Sequence, residues 1–177
     1  MAQKIEYHPP HPSLVTKKGI MQFAEEQRRR VKLTNGFQLA DLVKRSGGRL
    51  TYIDFDDEDQ IDAVVVEPDE SFLIRLSSYT GALRDNFTIA HELGHKVMHW
   101  PKVKKKYPGA GMKATRRVDN SDAALVRCEW EANWFASAFL MPADEFKASW
   151  KNGTASETFG VTEAAAEIRA KTLGLTE

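Results

Sequence analysis

An α+β fold is what this sequence predicts: one domain in which a small mixed sheet packs on a histidine-bearing helix and on further helices. Three observations point there. Three short strand-like runs follow one another between residues 49 and 77, longer helical stretches lie before and after them, and 177 residues suffice for one compact core but hardly for two.

The first 15 residues read as a Pro-rich tail, docked or loose, ahead of a domain spanning 16–177. Tyr7, His8, Pro9, Pro10, His11 and Pro12 cannot be helical, because successive prolines lack donors and hold the preceding residues extended. Two histidines in such a tail are expected to be solvated rather than ligating. Ile20, Phe23, Ala24 and Val31 recur among Arg28, Arg29, Arg30 and Lys32, which predicts an amphipathic helix from Thr16 to Leu33. A second helix is expected from Phe37 to Arg45, ended by Gly47 and Gly48. The basic run sits beside Glu25 and Glu26 and reads as a solvated helix face rather than a nucleic-acid contact.

Strands are expected over Arg49 to Phe55, Ile61 to Glu67 and Ser71 to Ser77, with Pro68 and Asp69 supplying the last turn. The acidic cluster Asp54, Asp56, Asp57, Glu58 and Asp59 lacks the glycine and the closing glutamate of a calcium loop, so a solvated hairpin tip is expected. A helix from Asp85 to His99 follows, then a loop from Pro101 to Ser121 rich in lysine and arginine, then an unusually apolar helix from Ala123 to Leu140. Pro142 suits the first position of a short helix, and 156–177 reads as two closing helices broken at Phe159, Gly160 and Val161.

Composition excludes more than it identifies. Lys+Arg 25 balances Asp+Glu 25, so net charge names no partner. The sole cysteine, Cys128, permits no internal disulfide and suits a reducing compartment as a small core residue. No apolar run reaches the length of a signal peptide or a membrane span, and a cytoplasmic location without membrane contact is expected.

Chemistry concentrates at His91, Glu92, Leu93, Gly94 and His95. Residues four apart lie on one helix face, so His91 and His95 can bring two imidazoles to one zinc ion while Glu92 projects beside it as general base. Ile89, Leu93, Val97 and Trp100 form a separate apolar stripe, so the helix would bury one side and line a cleft with the other, and Gly94 keeps that region uncrowded. Chance yields HExxH in about one chain of this length in a hundred, so a third ligand must decide. Glu129 is the candidate, because a carboxylate in a helix this apolar is costly to bury without a cation. Asn133, four residues on, can orient a ligating histidine through its free ring nitrogen, and Glu131 should point elsewhere. The rival is an ion pair of Glu129 with Arg127 or Arg84. A three-histidine site is excluded by Met98 and Pro101, and a site with an upstream cysteine by the position of Cys128. His99, Tyr107 and several arginines remain open as oxyanion stabilisers.

The run Arg84 to His95, the segment Glu129 to Ala136, and Phe139, Leu140, Met141 and Pro142 resemble the ImmA/IrrE family of metallopeptidases. The end, from Phe159 to Arg169 and Leu173 to Leu175, is similar to that family's closing helices. The resemblance implies a zincin-like fold, with His91, His95 and Glu129 as zinc ligands, Glu92 as catalytic base and Asn133 in support. It also implies a site-specific endopeptidase that cleaves a helix-turn-helix repressor or antitoxin, in a mobile-element, stress-response or toxin-antitoxin setting. An extended substrate segment is expected to pair as an added strand with a sheet edge near Ser71 to Ser77. Two alternatives stay open. A zincin-like module could sequester such a regulator uncut, or the closing helices could read DNA, although Glu157, Glu163, Glu167 and Glu177 suit phosphate binding poorly, so direct nucleic-acid binding is not expected.

Overall fold

The computed structural model describes residues 4–35, 39–54 and 62–176. Phe37, Phe55, the acidic residues Asp56 to Asp59, Ile61 and Glu177 lie outside the described residues. In chain order the elements are β1 (Tyr7–His8), α1 (Lys17–Arg30), α2 (Leu39–Arg45), β2 (Gly48–Ile53), β3 (Asp62–Val66), β4 (Phe72–Ser77) and α3 (Ala82–Gly94). A π-helical turn (His95–His99) joins α3 to α4 (Trp100–Lys106), and β5 (Gly111–Thr115), α5 (Ala123–Leu140), α6 (Ala143–Lys151), α7 (Ala155–Phe159) and α8 (Glu163–Thr172) follow.

The sheet is mixed, in the order β1-β5-β3-β4-β2. β3 runs antiparallel to both its neighbours, while β2 lies parallel to β4 and β1 parallel to β5. Position explains composition: β3 is Asp-Ala-Val-Val-Val, buried at every residue after the first, as a central strand covered on both faces must be. Gly47, at φ +80°, supplies the left-handed residue that ends α2 and turns the chain into β2. The core joins Val64, Val66, Ile74 and Leu76 of the sheet to Ile89 and Leu93 of α3 and to Phe135 and Phe139 of α5. α5 is the central helix, with α1 and α3 both packed along it. No helix among the described residues is long and apolar enough to cross a membrane.

Three expectations are corrected. Residues 101–115 are not all loop: Pro101 sits in the first turn of α4, where its missing N–H costs nothing, and Gly111–Thr115 forms a strand. β4 is an interior strand, so the Ser71 to Ser77 segment offers no free edge. The basic run on α1 is not uniformly solvated. Arg28 is buried and donates to the carbonyls of Phe139 and Leu140, and Arg169 of α8, also buried, donates to the carbonyl of Met141. Two guanidiniums thus satisfy carbonyls at the C-terminal end of α5, where the helix leaves them unpaired and carries partial negative charge.

The N-terminal segment is docked. Tyr7 and His8 pair with Gly111 and Met112, where the missing side chain of Gly111 admits the Tyr7 ring. His8 stacks on Tyr107 with ring centroids 3.6 Å apart, and this contact replaces the expected solvation. The Tyr7 hydroxyl donates to both oxygens of Glu67, at 2.7 and 2.9 Å. Burial, this hydrogen bond and the charge of Glu67 push the phenol from 10.0 up to about 12. A raised folded-state value means that the linked stability is present below about pH 10 and lost as pH rises toward 12. In an absorbance titration, Glu67→Gln is expected to bring the phenolate signal that Tyr7→Phe removes back toward the ordinary range; an unmoved signal would contradict the docking contact.

Candidate metal centre

α3 and α5 together build the site. Gly94 marks their close approach: a Cβ there would lie 3.3 Å from the Ala132 backbone and 3.1 Å from the Phe135 ring, so the neighbours would have to give by a few tenths of an ångström to admit it. This contact brings Glu129 of α5 over the histidines at the end of α3. His91 Nε2 lies 3.2 Å from one oxygen of Glu129, His95 Nε2 lies 3.1 Å from the other, and the two Nε2 atoms are 3.1 Å apart. Arg127, one of the two rival partners for Glu129, turns instead to Glu131 at 2.8 Å.

Three donors at such spacings form a triangle fit for a metal ion. A tetrahedral zinc with bonds of roughly 2.0–2.2 Å spaces its ligands roughly 3.3–3.6 Å apart, which a few tenths of an ångström of relaxation supplies. His91, Glu92 and His95 also bring one potential ligand atom each within 4.8 Å of one another. Glu129 is the better third donor, since its oxygens make the shorter approaches to both rings. Glu92 is set apart by its Oε2, a buried oxygen with no hydrogen-bond partner among the described residues.

Electrostatics separates the two carboxyls. Burial raises Glu92 to about 7, Glu129's charge adds to the rise, and His91 and Arg116 partly offset it. Glu129 also suffers burial, but its hydrogen bonds to His91 and His95 and their charge hold it well below the usual carboxylate range. Burial likewise dominates at His95, lowering it to about 4 and keeping the ring neutral, as a metal ligand must be. For His91 burial pulls downward, and the hydrogen bond and charge of Glu129, the charge of Glu92 and the Asn133 contact outweigh it.

Asn133 Oδ1 lies 3.0 Å from His91 Nδ1, so its carbonyl can accept the ring's outer N–H. His95 is backed differently. Its Nδ1 lies 3.0 Å from Nδ1 of His99, and His99 Nε2 lies 3.1 Å from Glu131. Neither His99 nor Glu131 was assigned this place from sequence. The signal was there in the continued four-residue spacing from His91 through His95 to His99, and in the cost argument for Glu129, which applies equally to a second carboxylate on the same apolar helix. Glu131 does point away from the histidine pair, but into the core: it is fully buried. His99 is fully buried behind His95, and Tyr107 stacks on His8, which leaves arginines to face the chemistry. Arg84 and Arg116 line the cavity of about 290 Å³ over the site, beside Thr88 and Thr115. A larger, apolar cavity of about 640 Å³ opens alongside, between Phe87, Trp130, Trp134 and Ile168, and shares Arg84 with it.

Residues 43–171 match the family model described as the IrrE N-terminal-like domain, a peptidase family. A solved structure of a Mycobacterium tuberculosis transcriptional regulator is similar in fold, with a TM-score of 0.59 at 20% identity over 86% of this chain. This chain spans 55% of the length of that protein. None of the curated proteins matches in sequence.

Proposed function

Because the chain belongs to the IrrE N-terminal-like peptidase family, we propose that it is a zinc-dependent endopeptidase of zincin-like α+β fold. The observation that carries this reading is the triangle of His91, His95 and Glu129 beside the unpartnered, buried oxygen of Glu92. Zinc, when bound there, would polarise the scissile carbonyl and make water acidic enough to attack it near neutral pH.

The chain's own residues do the rest. Glu92 takes a proton from the attacking water and passes it to the leaving amine; a carboxyl lifted by burial suits both halves of that task, and a dication nearby would draw it back toward ionisation. Asn133 keeps the lone pair of His91 Nε2 turned inward. Arg116 and Arg84 supply positive charge at the cavity wall, where an oxyanion would develop.

The substrate is an extended protein segment. β1 pairs with β5 only at Gly111 and Met112, so Lys113 to Thr115 lack a strand partner on that side among the described residues, and Thr115 borders the site. A peptide added along this edge would pass over the metal centre with its side chains reaching the apolar cavity. The resemblance of Arg84 to His95 and of Glu129 to Pro142 to the ImmA/IrrE metallopeptidases is what favours a cytoplasmic helix-turn-helix repressor or antitoxin as the protein cut. Incubating the zinc-loaded protein with such a regulator should yield two fragments by mass spectrometry and none with chelator. Recovery of an intact, chelator-insensitive complex would favour sequestration instead.

A further inference from the structure

Behind the metal triangle runs a buried chain of polar contacts that the peptidase motif does not require. His95 Nδ1 meets His99 Nδ1 at 3.0 Å, and His99 Nε2 meets Glu131 at 3.1 Å. Glu131 in turn accepts from the backbone N–H of Ser13 at 2.8 Å, from that of Leu14 at 3.0 Å and from Arg127 Nε at 2.8 Å. His95, His99 and Glu131 are each no more than 1% exposed.

The order of donors along this chain is dictated from its far end. Glu131, ringed by donors, is an ionised carboxylate and can only accept. His99 must therefore carry a hydrogen on Nε2, and a ring with that hydrogen alone presents a lone pair at Nδ1. Two lone pairs cannot face each other at 3.0 Å without repulsion, so His95 Nδ1 carries the hydrogen and donates. The lone pair of His95 is then forced onto Nε2, the atom 3.1 Å from both His91 Nε2 and Glu129.

We propose that His99 and Glu131 are positioning residues for the metal: a carboxylate–histidine–histidine relay that locks His95 in the one tautomer able to ligate. Residues 4–15 are then part of the site's scaffold rather than a tail, since the amides of Ser13 and Leu14 hold Glu131 in place. Leu14 adopts φ +59°, a conformation a leucine avoids, and the convergence of two consecutive amides on one carboxylate accounts for its persistence. The inference rests on the metal-site reading above.

Ring-nitrogen NMR on the full chain, with and without zinc, tests the relay without any substitution. Expected is a hydrogen on Nδ1 of His95 and on Nε2 alone of His99. A hydrogen on Nδ1 of His99, whether as the other tautomer or as a cation, would overturn the proposal. Zinc affinity by chelator competition then tests the consequence. His99→Asn keeps an acceptor where Nδ1 stood and should bind within a few-fold of wild type. His99→Gln is closer to histidine in reach but loses that acceptor, and should bind about 10–100-fold more weakly. Glu131→Gln, which can offer a hydrogen to His99 and so reverse the chain, should weaken binding comparably. A packing role alone would rank Gln with or above Asn, and that order would overturn the relay. A wild-type protein with the expected tautomers but no zinc would instead sink the metal-site reading and, with it, the positioning role.

Discussion

Glu92→Gln is expected to leave the zinc content unchanged and to cut the rate of substrate cleavage by about 100-fold to 10,000-fold, the range that a lost general base costs. The amide matches the carboxyl in size, so the helix and the ligand triangle keep their shape, yet it cannot take a proton from water. Burial has already shaped this position for proton traffic, since Glu92 is lifted to about 7 while Glu129, only a few ångströms from the same histidines, is held low. Cleavage at the wild-type rate by the variant would remove Glu92 from the chemistry. Loss of zinc together with activity would make it a ligand instead.

Glu129→Ala is expected to weaken zinc binding by more than about 100-fold in chelator competition, because outer-sphere partners alone are worth 10–100-fold and a ligand exceeds them. The reason is geometric. Both oxygens of Glu129 are committed, one to each histidine, at 3.2 and 3.1 Å. Wild-type affinity in this variant would contradict its role. Glu131 is poorly placed to take over, since it is buried on the His99 side and already holds four donors.

The parts of the fold that follow from local pattern were legible in the sequence. α1 begins after its capping Thr16, α5 spans Ala123–Leu140 as its apolar run implied, and α8 begins after Thr162, whose side chain accepts from the N–H of Ala165. What pattern could not carry depends on tertiary contacts. β1 is two residues long, and β5 contains a lysine and no β-branched residue before Thr115; each exists because a neighbour supplies its hydrogen bonds. α4 continues past Pro101 because a π-helical turn precedes it, and nothing in periodicity announces such a turn. At the centre, His91, His95, Glu129 and Asn133 were proposed from spacing and burial cost, and the structure brings them together. The second row, His99 and Glu131, was harder to see, because its meaning depends on the direction in which a buried carboxylate faces, and helix position alone does not give that when charge and core compete for the same turn.

The zinc content of the purified protein, measured by elemental mass spectrometry after incubation with zinc and removal of the excess, tests the metal-centre assignment most directly. About one zinc per chain is the expected result, as a single three-ligand catalytic site requires. No zinc retained would contradict it and turn the triangle of His91, His95 and Glu129 into a set of buried hydrogen bonds.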